Sequence, residues 1–156
     1  TIVRDYGKFL SALMKRDFTA DIGVEYIAVG AGSKTWETFY NRVIDFFNGG
    51  ESLINTPTYW VWAKRIDVAD ISYLNENNVK VTDITNKLQI DAKFNENVPS
   101  LTETLSFEEF ALLGRGTIDS TIKMFFINYV NHDNAPISKV PTMTLDRTIR
   151  LFFFFF

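Results

Sequence analysis

The chain has 156 residues, of which 46% are apolar, 15% aromatic and 22% charged, with a formal net charge of −3. That length and balance describe one globular domain able to bury a core, and they exclude general disorder. Sixteen basic residues lie scattered among nineteen acidic ones, which leaves no basic stripe for nucleic acid, and the absence of cysteine excludes disulfides, zinc–thiolate sites and thiol nucleophiles.

Near the start, Tyr6, Phe9, Leu10, Leu13 and Met14 recur at helical spacing, with Lys8, Ser11, Lys15 and Arg16 between them. The spacing predicts a helix over 8–18, fraying before Gly7, that buries Phe9, Leu10, Leu13 and Met14. Residues 1–21 are read as a docking helix and 22–156 as a β-rich domain. No charged-then-apolar leader is read at Thr1-Ile2-Val3, and no apolar run reaches the roughly 18 residues of a membrane span, so no membrane partner is expected.

Ile22–Val29 is β-branched and aromatic, and it stops at Gly30-Ala31-Gly32, which predicts a strand and a turn. Thr35 then caps a second helix over 35–48. Trp36, Phe39, Tyr40, Val43, Phe46 and Phe47 recur at steps of three and four, Glu37 suits the first turn, and Asn48-Gly49-Gly50 ends it.

Short strands are expected at 58–63 and 79–84, with Asn75-Glu76-Asn77-Asn78 as turn chemistry between them. Over Lys87–Phe94, Leu88, Ile90, Ala92 and Phe94 alternate with Gln89, Asp91 and Lys93, the pattern of a strand buried on one face. Leu105–Leu113 follows, broken by Gly114-Arg115-Gly116, then Ile122–Val130 and the alternating Met143–Phe152. Strands outnumber helices and connections are hairpin length. The expected class is mainly β (α+β): an antiparallel β-sandwich or sheet with an N-terminal helix and one further short helix.

The sequence closes on five phenylalanines, Phe152–Phe156, an aggregation hazard when free. Burial against a partner subunit, cover by a continuation of the chain, and side-chain identities assigned by shape all account for it. The last two are preferred, and no function is built on this run.

Gly30-Ala31-Gly32-Ser33-Lys34-Thr35 has the grammar of a phosphate-binding loop. In the Walker pattern, however, lysine directly follows the last glycine, so that ammonium and loop amides converge on one phosphate. Here Ser33 intervenes, position 27 is Ile rather than Gly, and a parallel crossover sheet is missing. A plain strand–turn–helix is the reading, with a nucleotide enzyme using Lys34 held as a third class.

His132 beside Asp133 offers a base and its orienter, yet Asn131-His132-Asp133-Asn134-Ala135-Pro136 is ordinary loop composition. One histidine makes no multi-histidine metal site. Asn131, Asp133 and Asn134, or Asn75, Glu76 and Asn77, are oxygen-rich but lack the spacing of a calcium loop. Glu108 and Glu109, neighbours on a strand, point to opposite faces and cannot act as an acid–base pair; one is expected in solvent and the other on an Arg or a partner. Tyr59, Trp60 and Trp62, followed by Lys64-Arg65, can stack on bases or sugars, but packing in a core or interface is the commoner fate. No catalytic, cofactor or metal residue is assigned.

The order of segments resembles a group of bacteriophage tail-associated proteins: tail-fibre, collar and baseplate-attachment domains. The resemblance rests on Tyr26–Gly32 (YIAVGAG), on Asn41-Arg42-Val43 in the following helix, and on Leu105–Leu113 (LSFEEFALL). It continues through Met124–Val130, Pro136-Ile137-Ser138-Lys139 and Met143–Leu151, so it spans 22–151, with 51–100 departing from it. It implies a structural virion component of a phage tail, neck/collar or baseplate, made in the bacterial host cytoplasm. Such a component docks a fibre or neighbouring subunit by protein–protein contacts, with copies of itself and other virion proteins as partners. The interface candidates are Phe9, Leu13, Tyr59, Trp60 and Trp62. The alternative is a carbohydrate-binding module that stacks host-surface glycans on Tyr59, Trp60 and Trp62.

Overall fold

Alternation along the strands sorts the side chains into two cores. A computed structural model describes Val3 and residues 5–153. The elements are α1 (Asp5–Met14), β1 (Gly23–Ala31), α2 (Trp36–Asn48), β2 (Ile54–Asn55), β3 (Trp60–Arg65), β4 (Ile71–Leu74), β5 (Lys80–Val81) and β6 (Lys87–Phe94). After them come β7 (Leu105–Phe107), β8 (Glu109–Ile118), β9 (Thr121–Phe126), β10 (Val130–Asn131), β11 (Ile137–Lys139) and β12 (Leu145–Phe152). The fold is mainly β with antiparallel sheets and two helices, as the pattern predicts.

The first sheet runs β10-β8-β1-β3-β2, with β9 also on β8; the second runs β12-β6-β4-β5; β7 and β11 form a separate pair. The inner faces of the two sheets share one core, in which Ile27, Val29, Trp60, Phe110 and Leu112 pack with Ile71, Leu88, Ile90 and Phe94. The outer face of the first sheet packs on α2.

That second interface has a specific shape. Ala28 lies opposite both Ala63 and Ala111, so a row of alanines crosses three neighbouring strands. The shallow row receives Phe39, Val43 and Phe46 of α2, all buried. Burying each ring contributes roughly 1.5–3 kcal/mol. Thr35 caps α2, its Oγ1 accepting the Thr38 N–H at 3.3 Å.

Four expectations are corrected. α1 spans 5–14 and buries Gly7, Ser11 and Ala12, not the large apolar stripe; Phe9 stays 52% exposed against Phe18. Small residues win because backbone comes close there: a Cβ on Gly7 would lie 2.4 Å from the Phe153 carbonyl oxygen. Ala12 is fully buried in the shared core, so α1 packs on the sheets. Gly114-Arg115-Gly116 does not break β8, which runs on to Ile118. Both glycines sit beside large side chains, Ile127 at 3.4 Å and Phe125 at 3.5 Å from their virtual Cβ positions. The 79–84 strand shrinks to Lys80–Val81, and the 58–63 strand shifts to Trp60–Arg65. The reading of Phe154–Phe156 lies outside the described residues.

Candidate functional site

At the end of β1 the chain reverses through Gly32 (φ +86°) and Lys34 (φ +70°). Amides in such a turn point inward and form an anion nest. The nest is filled by the chain's own carboxylate. Glu109 Oε1 accepts the Ser33 N–H at 3.0 Å, the Lys34 N–H at 2.8 Å and the Tyr129 hydroxyl at 3.0 Å. Glu109 is 1% exposed, and its Oε2 has no hydrogen-bond partner among the described residues. Asn131 Nδ2 donates to the Tyr129 oxygen at 3.1 Å. Burial first, and then the hydrogen bond to Glu109, push the Tyr129 phenol up to about 12.

Arg42 holds the turn from the α2 side. Its guanidinium donates to the Gly32 carbonyl and the Ser33 hydroxyl, each at 3.0 Å, and stacks 3.7 Å above the Tyr59 ring. The buried glutamate therefore meets backbone amides and a phenol; the expectation of an Arg or a partner is corrected. The Lys34 side chain is exposed, and it is the Lys34 backbone amide that meets Glu109.

The other candidates resolve as follows. Arg147 Nη2 lies 2.8 Å from His132 Nε2, and its guanidinium lies 4.3 Å over the Phe110 ring. Arg147 can only donate there, so Nε2 is the acceptor and is not available as a free base. The Asp133 N–H donates to Asn131 Oδ1, and Asn75 Oδ1 accepts the Asn77 and Val79 amides. Both oxygen-rich segments thus use their side chains to close turns. Among the described residues no three His, Asp or Glu side chains gather as a metal site, and no helix is long and apolar enough to cross a membrane.

Of the interface candidates, Phe9 is exposed and Leu13 half-buried. Trp60 is 5% exposed, touches Phe107 and donates its Nε1–H to the Ser106 carbonyl at 2.9 Å. Trp62 is half-buried beside Phe94, and Tyr59 lies under Arg42. Period-two alternation puts Trp60 and Trp62 on the inner face of the sheet, so the three rings form no open platform. The Lys64-Arg65 doublet is absorbed too. Lys64 donates to the Lys93 carbonyl, and Arg65 pairs with buried Glu25 at 3.4 Å.

An apolar surface lies between α2 and β9. A cleft of about 460 Å³ is lined by Trp36, Glu37, Tyr40, Asn41, Phe125 and Phe126. Trp36 is 51% and Phe125 48% exposed. Beneath them Tyr40 packs edge-on against Phe126 at 5.2 Å. The β8–β9 hairpin turns through Asp119 and Ser120, both at positive φ, with Ile118 opposite Thr121. In a two-residue loop of this kind the flanking pair is hydrogen-bonded. Ile122, Met124 and Phe126 therefore turn their amides to the outer edge, where the Met124 carbonyl accepts the Tyr40 hydroxyl at 3.1 Å. The spacing alone puts Trp36 among the recurring apolar residues of the second helix and Phe125 in the apolar strand Ile122–Val130, and marks neither as exposed. The signal for both was local: position 36 opens the helix beside the polar Lys34-Thr35 turn, and the odd positions of β9 face away from α2.

Neither a scan against protein-family models nor searches of curated proteins and of solved structures finds a match to this chain.

Proposed function

We propose that this chain is a non-enzymatic structural subunit that works by docking, and that the cleft between α2 and β9 is its principal contact surface. One observation carries the reading: Trp36, about half exposed, stands with Tyr40 and Phe126 around an apolar cleft between α2 and β9. Large aromatic side chains around a pocket are the usual anchors of protein interfaces. The filled nest at Ser33 and Lys34 argues on the same side, because a nucleotide phosphate would have to displace Glu109. The sequence resemblance supports a place in a phage tail, neck/collar or baseplate, where the cleft would hold a fibre or a neighbouring subunit. Glycan stacking on Tyr59, Trp60 and Trp62 is not carried forward, since Trp60 belongs to the core.

A photo-cross-linking phenylalanine analogue at position 36 tests this in the assembled particle. A cross-link to one neighbouring component is expected from position 36 and not from the exposed turn at Glu76. An intact assembly that contains the chain and yields no product from position 36 would overturn the proposal.

A further inference from the structure

Among the described residues the second sheet ends in an open edge along Asp146, Thr148 and Arg150. β12 pairs, among the described residues, with β6 alone, in one unshifted register from Leu145↔Phe94 to Phe152↔Lys87. The Phe153 N–H donates to the Asn86 carbonyl at 2.8 Å, and Phe153 and Asn86 continue that register. Antiparallel ladders alternate, so the odd residues of β12 bond to β6 and the even residues turn their N–H and C=O outward. Asp146, Thr148 and Arg150 are therefore the outward-bonding residues, and their side chains lie on the exposed face. Native edges are normally protected by proline, by bulges or by an inward charge. β12 has no proline and no bulge. Its inward charge, Arg147, is folded over Phe110 and tied to His132.

We infer that this edge pairs with β12 of a second copy of the chain, antiparallel, about a two-fold axis at Thr148. The occupant follows from charge complementarity and bonding parity together. Outward-bonding residues must face one another, so only even-to-even registers are open. With the axis at Thr148, Asp146 faces Arg150 of the second copy, and the same pair forms again across the axis. Thr148 faces its own copy, and Leu145 faces Leu151 on the core side. An axis at Asp146 or at Arg150 sets like charges against each other. An axis at Arg147 or Ile149 leaves Asp146 and Arg150 facing uncharged residues. One register alone satisfies every backbone group and both charges, and it joins two four-stranded sheets into one.

The inference is independent of the cleft, so the two can fail separately. The test is sedimentation of the purified chain over a concentration series, with Asp146→Arg, Arg150→Asp and the double exchange. The parent is expected to show a reversible monomer–dimer equilibrium, weaker in high salt. Each single exchange should raise the dissociation constant at least tenfold, and the double exchange should restore the parent value. Circular dichroism and thermal unfolding of each single variant, matched to the parent, show that the loss of dimer is not a loss of fold. A parent that stays monomeric up to its solubility limit overturns the inference. So does a dimer that survives both single exchanges, or one lost on Trp36→Ala and kept on Asp146→Arg.

Discussion

Glu109 Oε1 lies 2.8 Å from the amide nitrogen of Lys34, 75 residues away in the chain. A turn that resembles a phosphate cradle is thereby neutralised from within. Replacing Glu109 by Ala leaves the Ser33 and Lys34 amides and the Tyr129 hydroxyl without their acceptor. Losing partners of this kind costs about 2–3 kcal/mol in total, with water taking up part of the loss. Urea unfolding should show that drop. The vacated nest should then respond to small anions, so formate or phosphate should raise the melting temperature of Glu109→Ala more than that of the parent. Equal response in both proteins would mean that the amides do not act as an anion site.

Burial, with the hydrogen bond to Glu109 second, sets an alkaline transition at Tyr129. The Tyr129 phenol has an ordinary value of 10.0, and in the folded chain it stands at about 12. A raised value means that the folded state holds the proton more tightly than the unfolded state. The stability this contributes is complete below pH 10 and is lost as pH rises from 10 to about 12. Tyr73 is raised in the same direction by burial and by its hydrogen bond to Asp17 at 2.6 Å, and Tyr26 by burial and the neighbouring Glu51, so the three share the slope. Urea midpoints measured from pH 8 upward should fall above pH 10, and Tyr129→Phe should make that fall shallower. An unchanged slope in the variant would remove Tyr129 from the linkage.

Gly32 and Gly50 both have positive φ, +86° and +83°, yet they differ in surroundings. A Cβ on Gly32 would lie 2.3 Å from the Thr58 carbonyl oxygen, whereas Gly50 meets nothing within 4 Å. Gly50→Ala should cost about 1 kcal/mol, the backbone penalty alone. Gly32→Ala adds a clash with rigid backbone and should cost about 2–4 kcal/mol. Thermal unfolding of the two variants side by side reads the difference. Similar losses would place the strain in the dihedral angle rather than in the approach of Thr58.

How much of this was legible follows from the range over which each contact acts. Lys87–Phe94 was readable because alternation is a local pattern, and β6 keeps those bounds. The turn at Gly32 was readable because only glycine adopts that backbone freely. Its anion was not, since nothing near Ser33 marks residue 109 as the one that folds onto it. α1 misled because large apolar residues outweigh small ones in any periodicity count. Gly7, Ser11 and Ala12 matter only when a neighbour's backbone approaches, which is tertiary information. Gly114 and Gly116 carry the usual signature of a chain break, but inside a hairpin they make room for Ile127 and Phe125. Short β4 (Ile71–Leu74) gives no pattern long enough to count.

Two tryptophans separate stability from docking. Trp60 is enclosed by the two sheets and hydrogen-bonded to Ser106. Trp60→Ala should therefore cost about 3–5 kcal/mol, a core loss that mimics an assembly defect simply because less folded protein remains. Trp36 lies at the rim of the α2–β9 cleft, half in solvent. Trp36→Ala should leave the unfolding free energy within about 1 kcal/mol of the parent. If the cleft docks a neighbour, that same variant should be under-represented in assembled particles when co-expressed with the parent chain. The comparison is informative because the two losses point in opposite directions: Trp60→Ala acts on folding and Trp36→Ala on incorporation. Equal incorporation of Trp36→Ala and parent, at equal soluble yield, would take the cleft out of assembly and leave the open strand edges as the contact surfaces.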